Sequence, residues 1–237
     1  MRTEAIRLKR VSKHYGPVMA LNGIDLRLCR GKFLLLAGSN GAGKSTLLRL
    51  LAGICKPTAG QVLIDGADPA STPATRANIG LLAHNFLLYN NLSARENLLF
   101  FARLYDLPNR PHRVDAALSE TGLLERQDQK VNTFSRGMKQ RLALARATIH
   151  QPSILLLDEP YTGLDSGAAA VLENQLSTFK KQGHTCVLVT HRADAAVHLM
   201  DHLVILHRGK LCQQGPWTGK TAEDLHSHFQ EHLEDYP

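Results

Sequence analysis

Long hydrophobic runs are missing from this sequence of 237 residues. The longest uninterrupted apolar run is about five residues, whereas a helix that crosses a bilayer needs about 20. The N-terminus is charged and lacks the apolar segment that a secretory signal requires. The sequence also shows no internal repeat, no coiled-coil heptads and no low-complexity linker. We therefore expect a globular chain that is made and kept in the cytosol.

Cysteine is scarce, and negative charge is in deficit. The four cysteines are Cys29, Cys55, Cys186 and Cys212, and no two of them form a C-x-x-C pair. This pattern predicts buried thiols in a reducing compartment and argues against a disulfide framework or a zinc site. The 28 Lys and Arg against 21 Asp and Glu give a net charge of +7, which favours an anionic partner. A nucleotide, a nucleic acid and an acidic membrane surface all fit, and the charge does not choose among them.

A glycine-rich stretch matches the phosphate-binding loop pattern G-x-x-x-x-G-K-[ST] of nucleotide hydrolases. Its residues are Gly38, Ser39, Asn40, Gly41, Ala42, Gly43, Lys44, Ser45 and Thr46. The apolar run Phe33 to Ala37 before it reads as a buried strand, and Leu47 to Leu51 follow at helical density. This strand–loop–helix context is what the motif requires.

The loop chemistry follows from its residue types. Glycines allow a tight turn whose N–H groups point inward toward an anion, and the helix after Gly43 adds its positive dipole end. We expect Lys44 to reach the β- and γ-phosphates and the Ser45 hydroxyl to bind Mg²⁺. ATP and Mg²⁺ are therefore the predicted cofactors.

The remaining chain alternates between β and α patterns. An N-terminal β region includes a hairpin predicted at Asn22-Gly23, and residues from about 85 to 150 change to a helical composition. Ser93 to Glu96 has the form of a capping box that begins a helix. Past this region, buried strands alternate with helices again, and Asp165 or Ser166 is expected to cap a helix that ends near Lys181.

Polar side chains follow two further predicted strands, at the ends where α/β sheets bind ligands. Asp158 and Glu159 come after four apolar residues, and His191 follows the next strand. Asp158 is placed to hold Mg²⁺, and Glu159 is placed to orient and deprotonate the attacking water. His191 could contact the γ-phosphate, although a structural histidine is about equally common at such a position.

Six motifs, in a fixed order, then resemble those of the ATP-binding cassette (ABC) ATPases over nearly the whole chain. They are Tyr15 as the adenine-stacking aromatic, the phosphate loop, Ser135 with Gly137 in the signature stretch 134–141, Leu155 to Pro160, Gly163 to Asp165, and Thr190 with His191. The family signature is L-S-G-G-Q. Ser135 and Gly137 keep its two phosphate-contacting positions, whereas Phe134, Arg136 and Met138 depart from it.

The resemblance implies an α/β fold of the P-loop cassette type: a mixed sheet core, an N-terminal antiparallel β part and an inserted helical subdomain. It implies one domain over 1–237, with core segments 1–84 and 151–220, a helical subdomain at about 85–150 and a polar tail at about 221–237. It also implies a homodimer in which Ser135 and Gly137 close on the ATP of the second cassette, with Asp165 near the dimer interface. His84 stands where the family has a glutamine, and we expect it to sense the γ-phosphate; the alternative is a histidine that only packs under a loop.

Among cassette machines, the motor subunit of a membrane transporter fits best. The phosphate loop and signature lie too close for an intervening coiled coil, one cassette is present, and Glu159 is retained. Residues 79–98, 101–105, 133–141 and 161–165 most resemble ATP-binding subunits of heme exporters in bacterial cytochrome c biogenesis. Exporters of drugs, lipids or polysaccharides share the Arg136–Met138 variant and remain an alternative. A nucleic-acid-associated ATPase is less favoured, and no nucleic acid is expected as a partner.

The expected partners are integral membrane permease subunits, contacted from the cytoplasmic face of the cell membrane. Phe86 to Tyr89 form an apolar cluster that either packs in the core or lines a groove for a permease helix. The tail histidines His226, His228 and His232 are expected on a solvated helix face, and metal binding there is the minor alternative.

Overall fold

The computed structural model describes residues 3–190, 197–219, 221, 223–225 and 227. Nine strands form two sheets in this part of the chain. The strands are β1 Glu4–Tyr15, β2 Val18–Cys29, β3 Phe33–Gly38, β4 Ala59–Ile64, β5 Ile79–Leu82, β6 Ile154–Asp158, β7 Thr185–Val189, β8 His202–His207 and β9 Lys210–Pro216. The helices are α1 Lys44–Leu51, α2 Pro73–Ala77, α3 Ala94–Leu104, α4 Arg110–Glu120, α5 Arg136–Thr148 and α6 Ser166–Lys181. Within the described residues, no helix has the length and hydropathy that a membrane span requires.

The larger sheet has six strands in the order β5-β6-β7-β3-β8-β9. Its first five strands run parallel, and β9 pairs antiparallel with β8 at one edge. The central strands read as continuous apolar runs because helices cover both faces of such a sheet. All carboxyl ends of the parallel strands therefore meet at one edge, where ligands bind in open α/β sheets.

The smaller sheet is antiparallel, in the order β2-β1-β4, as expected for the N-terminal β part. The hairpin predicted at Asn22-Gly23 is wrong. β2 continues through these residues, and the turn lies between Tyr15 and Val18, which pair directly. Gly23 instead sits in a register irregularity at φ 63°, where its N–H donates to Ser12 Oγ at 2.9 Å.

Helices α3, α4 and α5 pack around an apolar cluster of their own. Its largest buried members are Leu98, Val114, Leu118, Leu123, Val131, Phe134, Leu142 and Ile149. The predicted capping box is confirmed: Ser93 Oγ accepts from the Glu96 N–H, and Glu96 accepts in return from the Ser93 N–H. Asp165 caps α6, which ends at Lys181 as predicted. The α/β fold with a mixed sheet and a helical insertion is confirmed, whereas the boundaries at 85 and 150 stay predictions.

Candidate active site

The phosphate loop connects β3 to α1, at the carboxyl edge of the larger sheet. Gly43 precedes α1 at φ 105°, and Gly38 ends β3 at φ 150°, both in the region that favours glycine. A Cβ at Gly43 would lie 2.5 Å from the Ala20 carbonyl oxygen, and one at Gly38 would collide with the Leu206 carbonyl. The loop conformation therefore depends on glycine at both positions, and it keeps the start of α1 close to β2.

Lys44 is the first residue of α1, and its ammonium group lies over the loop. Lys44 Nζ donates to the carbonyl oxygens of Gly38 at 2.6 Å and Ser39 at 2.9 Å. Burial lowers the pKa of Lys44, while the charges of Glu159 and Asp158 act in the opposite direction. The cation thus stands between the loop carbonyls and the two acidic residues, where an incoming phosphate would meet it.

Ser45 and Asp158 form the first link between two of the predicted motifs. Ser45 Oγ donates to Asp158 Oδ2 at 2.9 Å, and Asp158 is the last residue of β6, only 8% exposed. A hydroxyl and a carboxylate are hard oxygen donors of the kind that Mg²⁺ prefers, so the donor set fits that ion. In the described part of the chain, no group of three or more His, Cys, Asp or Glu side chains is arranged to hold a metal.

Glu159 follows β6 in a left-handed conformation, at φ 52°. Its N–H donates to the Val189 carbonyl at 2.8 Å, and its carbonyl accepts from the Thr162 N–H at 3.2 Å. A non-glycine residue at positive φ is uncommon and needs support from its surroundings. These backbone bonds hold the turn that places Glu159 beside Asp158 at the sheet edge.

Gln140 of α5 also holds this turn, and sequence reasoning missed it. Its side-chain N–H donates to the Pro160 carbonyl at 2.8 Å and more weakly to the Glu159 carbonyl at 3.3 Å. Gln140 is buried although it is an amide in a polar stretch. Its helical spacing from Leu144 and Ala147 was the available signal, because residues four and seven apart share a face.

The signature residues lie at the start of α5. Ser135 caps this helix and accepts from the Met138 N–H at 3.2 Å, and a Cβ on Gly137 would lie 2.7 Å from the Gly163 carbonyl. Asp165 caps α6 by accepting from the Ala168 N–H at 2.8 Å. Among the hydrogen bonds of the described residues, none joins Ser135 or Gly137 to residues 38–46. Ser135 and Asp165 are exposed, so they are available to a second molecule.

Tyr15 ends β1 and is 44% exposed, with Lys13 Nζ 5.1 Å from its ring centroid. Its hairpin partner β2 contacts Gly43 through Ala20 and Leu21, which places this hairpin beside the phosphate loop.

His84 is exposed and lies two residues after β5. It borders a groove together with Arg136 and Lys139. His191 and the tail histidines fall outside the described residues.

A phosphate loop joined to a buried carboxylate at the end of a neighbouring apolar strand defines a Mg²⁺-dependent nucleotide hydrolase. The sequence pattern of the ABC transporter family matches residues 21–162, and the chain belongs to this family. It is an ATP-hydrolysing cassette that binds ATP with Mg²⁺.

The spermidine/putrescine import ATP-binding protein PotA of Haemophilus influenzae is 34% identical over 213 residues, covering 89% of this chain and 57% of that protein. This chain thus spans a little over half the length of that relative. The ABC transporter ATP-binding protein NatA of Bacillus subtilis is 33% identical over 226 residues, covering 91% of both. A cassette solved as a dimer in a post-hydrolysis state with ADP and phosphate has a TM-score of 0.83 at 28% identity, covering 90% of this chain and 99% of that one.

Proposed function

We propose that this chain is the motor subunit of a membrane transporter, in which two copies close on two ATP molecules and reopen after hydrolysis. The contact between Ser45 and Asp158 is the observation that carries the proposal, because it joins the phosphate loop to the acidic strand end in one site. The expected location is the cytoplasmic face of the cell membrane, where the basic charge suits an anionic leaflet.

Each candidate residue has a defined task in this proposal. The backbone N–H groups from Ser39 to Thr46 cradle the phosphates, Lys44 neutralises the γ-phosphate, and Tyr15 stacks on the adenine. Ser45 and Asp158 would hold Mg²⁺, which would supply neutralisation of the phosphate charge.

Hydrolysis needs a positioned water and a proton acceptor. Glu159 takes a proton from the water as the water oxygen attacks the γ-phosphorus, the bond from the γ-phosphorus to the bridging oxygen breaks, and ADP leaves with that oxygen. His191 and His84 help to orient the water. Ser135, Gly137 and Asp165 of a second copy close the site from the other side. Closure is favoured while the γ-phosphate supplies charge to both faces, and its loss removes that differential binding.

The permease contact is proposed at a groove of about 400 Å³ beside His84. The residues that line it are His84, Asn85, Phe86, Leu87, Leu88, Asn90, Arg136 and Lys139. Leu87 is 49% exposed, and Tyr89, Phe100 and Leu104 are exposed apolar side chains on the same helical part of the chain. Tyr89 and Phe100 contact each other, with ring centroids 4.9 Å apart, and adjoining exposed apolar side chains support an interaction site.

The charge of the groove indicates what would fill it. Arg136 and Lys139 are its charged residues, and no acidic side chain from the described part of the chain lines it. The permease segment that fits is therefore a short helix with an apolar face and a carboxylate, which pairs with these cations.

The docking proposal is tested with Leu88→Asp, which places a carboxylate on the apolar floor of the groove. We expect this variant to bind ATP normally and to be released from membranes that contain the permease. Leu124→Asp is the control for an added carboxylate, because Leu124 is an exposed leucine that lies outside the groove, whereas Leu88 is half-buried and lines it. Retained membrane association of Leu88→Asp would count against the docking site.

The cargo is proposed from resemblance, since nothing in a cassette touches it. The stretches 79–98 and 133–141 favour heme export for cytochrome c biogenesis. Import is the second candidate, because a relative at 34% identity is named as a spermidine/putrescine import protein. Gene deletion complemented with wild type or Glu159→Gln separates the two. Heme export predicts loss of covalent heme staining in c-type cytochromes with unchanged polyamine uptake, whereas the reverse result supports import.

A further inference from the structure

Strand β5 is an edge strand of the larger sheet, and α5 covers its free edge. The Asn78 carbonyl accepts from the Ile154 N–H of β6, so by strand alternation the carbonyls of Ile79 and Leu81 point to the other side. One side chain of α5 and one just after the end of α5 donate hydrogen bonds to these two carbonyls. Arg146 Nη2 donates to the Leu81 carbonyl at 2.5 Å, and His150 Nε2 donates to the Ile79 carbonyl at 3.1 Å.

The spacing on the two elements is matched. The two carbonyls are two residues apart on one strand edge, and Arg146 and His150 are four residues apart, one turn of a helix. Gly80 lies between the carbonyls, and a Cβ there would collide with the Ala147 carbonyl oxygen. The α5 backbone therefore contacts β5 directly, and Arg146 and His150 hydrogen bond to the strand on either side of that contact.

The guanidinium group of Arg146 is buried and lies among aromatic side chains. Arg146 is 7% exposed, and its guanidinium carbon lies 5.4 Å from the Phe101 ring centroid. Tyr105 stacks on His150 at 4.0 Å with an interplanar angle of 6°. Arg146 Nε is buried with no hydrogen-bond partner among the described residues. A buried charge with an unpaired N–H contributes little to the free energy of unfolding. We therefore interpret Arg146 as a residue that fixes the position of α5 relative to β5.

Helix α5 is also connected to two parts of the proposed catalytic site, the signature residue Ser135 and the turn at Glu159. α5 begins directly after Ser135, and Gln140 on it holds the carbonyls of Glu159 and Pro160. β5 ends at Leu82, two residues before His84. A displacement of Ser135 that moves α5 therefore also moves β5 and His84, because Arg146 and His150 join α5 to β5.

We propose that Arg146 is a positioning residue for ATP hydrolysis: it fixes the signature helix to the strand that leads to His84, so that Ser135 and His84 move as one body. The contacts of Arg146 are with the Leu81 carbonyl and the Phe101 ring, and its role is therefore proposed to act through β5 and α5. Its loss leaves the phosphate loop unchanged and misplaces the groups that complete the site on closure. The expected effect therefore falls on kcat and leaves KM for ATP almost unchanged.

The test compares three full-length variants in steady-state ATP hydrolysis. Arg146→Met keeps the aliphatic bulk and removes the donor, and we expect kcat to fall by about tenfold with KM within about twofold. Arg146→Lys retains a cationic donor and is expected to recover most of that loss. Arg141→Met is the matched control, because Arg141 also lies on α5 and donates to a backbone carbonyl, that of Thr121 at 2.8 Å, within the helical part. We expect its kcat to stay within about twofold of wild type.

Two results would overturn the proposal. One is wild-type kcat in a folded Arg146→Met protein, and the other is an equal loss in Arg141→Met. If thermal unfolding shows that Arg146→Met is not folded, His150→Leu replaces it, since this variant removes the bond to Ile79 and the stacking with Tyr105 but keeps the bond from Arg146 to Leu81. A smaller fall in kcat at constant KM in His150→Leu supports the proposal, and wild-type kcat in this variant counts against it.

Discussion

Ser45 and Asp158 are 113 positions apart in the chain, and their side chains are hydrogen bonded at 2.9 Å. The larger sheet produces this contact. β3 carries the phosphate loop and β6 carries Asp158, and only β7 lies between them, with all three strands parallel. Their carboxyl ends therefore face the same crevice, and two distant motifs become one site.

Ser45→Ala should raise the Mg²⁺ concentration needed for half-maximal ATP hydrolysis by about tenfold. The substitution removes a hydroxyl ligand and leaves Asp158 without its hydrogen-bond donor. A Mg²⁺ titration of ATPase activity measures the effect. Ser39→Ala in the same loop is the control, because the contacts of Ser39 with Ala42 and Lys44 run through its carbonyl. An equal Mg²⁺ requirement in both variants would contradict the assignment of Ser45.

Glu159→Gln should lower kcat by about 10²-fold or more while ATP affinity is kept, because the amide cannot accept the proton of the water. With hydrolysis blocked, the closed dimer should accumulate in Mg²⁺-ATP, and light scattering measures its mass. Glu125→Gln, at an exposed glutamate outside the six motifs, is expected to behave as wild type. A Glu159→Gln sample that stays monomeric at saturating Mg²⁺-ATP, even with its permease, would refute the dimer mechanism.

His84→Ala should reduce ATP hydrolysis by about tenfold in the presence of the permease, because a hydrogen-bonding group is lost where the γ-phosphate is sensed. His84→Gln restores a side-chain acceptor and donor and should recover activity. His112→Ala, at an exposed histidine of α4, serves as control. If both basal and stimulated rates of His84→Ala equal those of wild type, His84 has no role in hydrolysis.

Stability should fall in mild acid because of His150. Burial is the main cause that lowers the pKa of His150 from 6.5 to about 4, with the Ile79 hydrogen bond opposing it and the Arg146 charge adding to it. Between these two values the unfolded chain binds a proton that the folded chain does not, so stability is lost as pH falls below 6.5. The loss from this group is about 2 kcal/mol at pH 5.

Denaturant unfolding at pH 7 and pH 5 measures this loss. His150→Gln, which does not titrate, should show a smaller decrease between the two pH values than wild type. Tyr105 and Arg146 face His150, and neither titrates in this range, because the pKa of Tyr105 is raised and that of Arg146 is about 10. The same decrease in both proteins would contradict the assignment to His150.

The elements with strong local signals could be predicted from the sequence. The phosphate loop, the Ser93 capping box and the Asp165 cap each combine a residue type with a local backbone requirement, and each was found where it was expected. The Asn22-Gly23 hairpin was wrong because the same dipeptide also suits an irregularity within a strand. Pairing with β1 over 12 residues decided between the two, and that information is not local.

The side chains that hold the site together were harder to predict. Gln140, Arg146 and His150 all bind backbone carbonyls, and every residue has a carbonyl, so the sequence does not mark the acceptor. Only the packed structure shows that β5 is an edge strand whose carbonyls are accessible to α5. The acidic pair Asp158 and Glu159 could be predicted because its position after an apolar strand is itself a sequence pattern.

The contact of α5 with the free edge of β5 has a further consequence for aggregation when the protein begins to unfold. If α5 moves away, the apolar strand Ile79–Leu82 exposes its edge carbonyls, and another chain can add a strand to it. In the folded cassette, Arg146 and His150 occupy the acceptors that such an added strand would need. Mild acid destabilises this region because protonated His150 is buried beside the Arg146 charge, so aggregation in mild acid should begin at this edge.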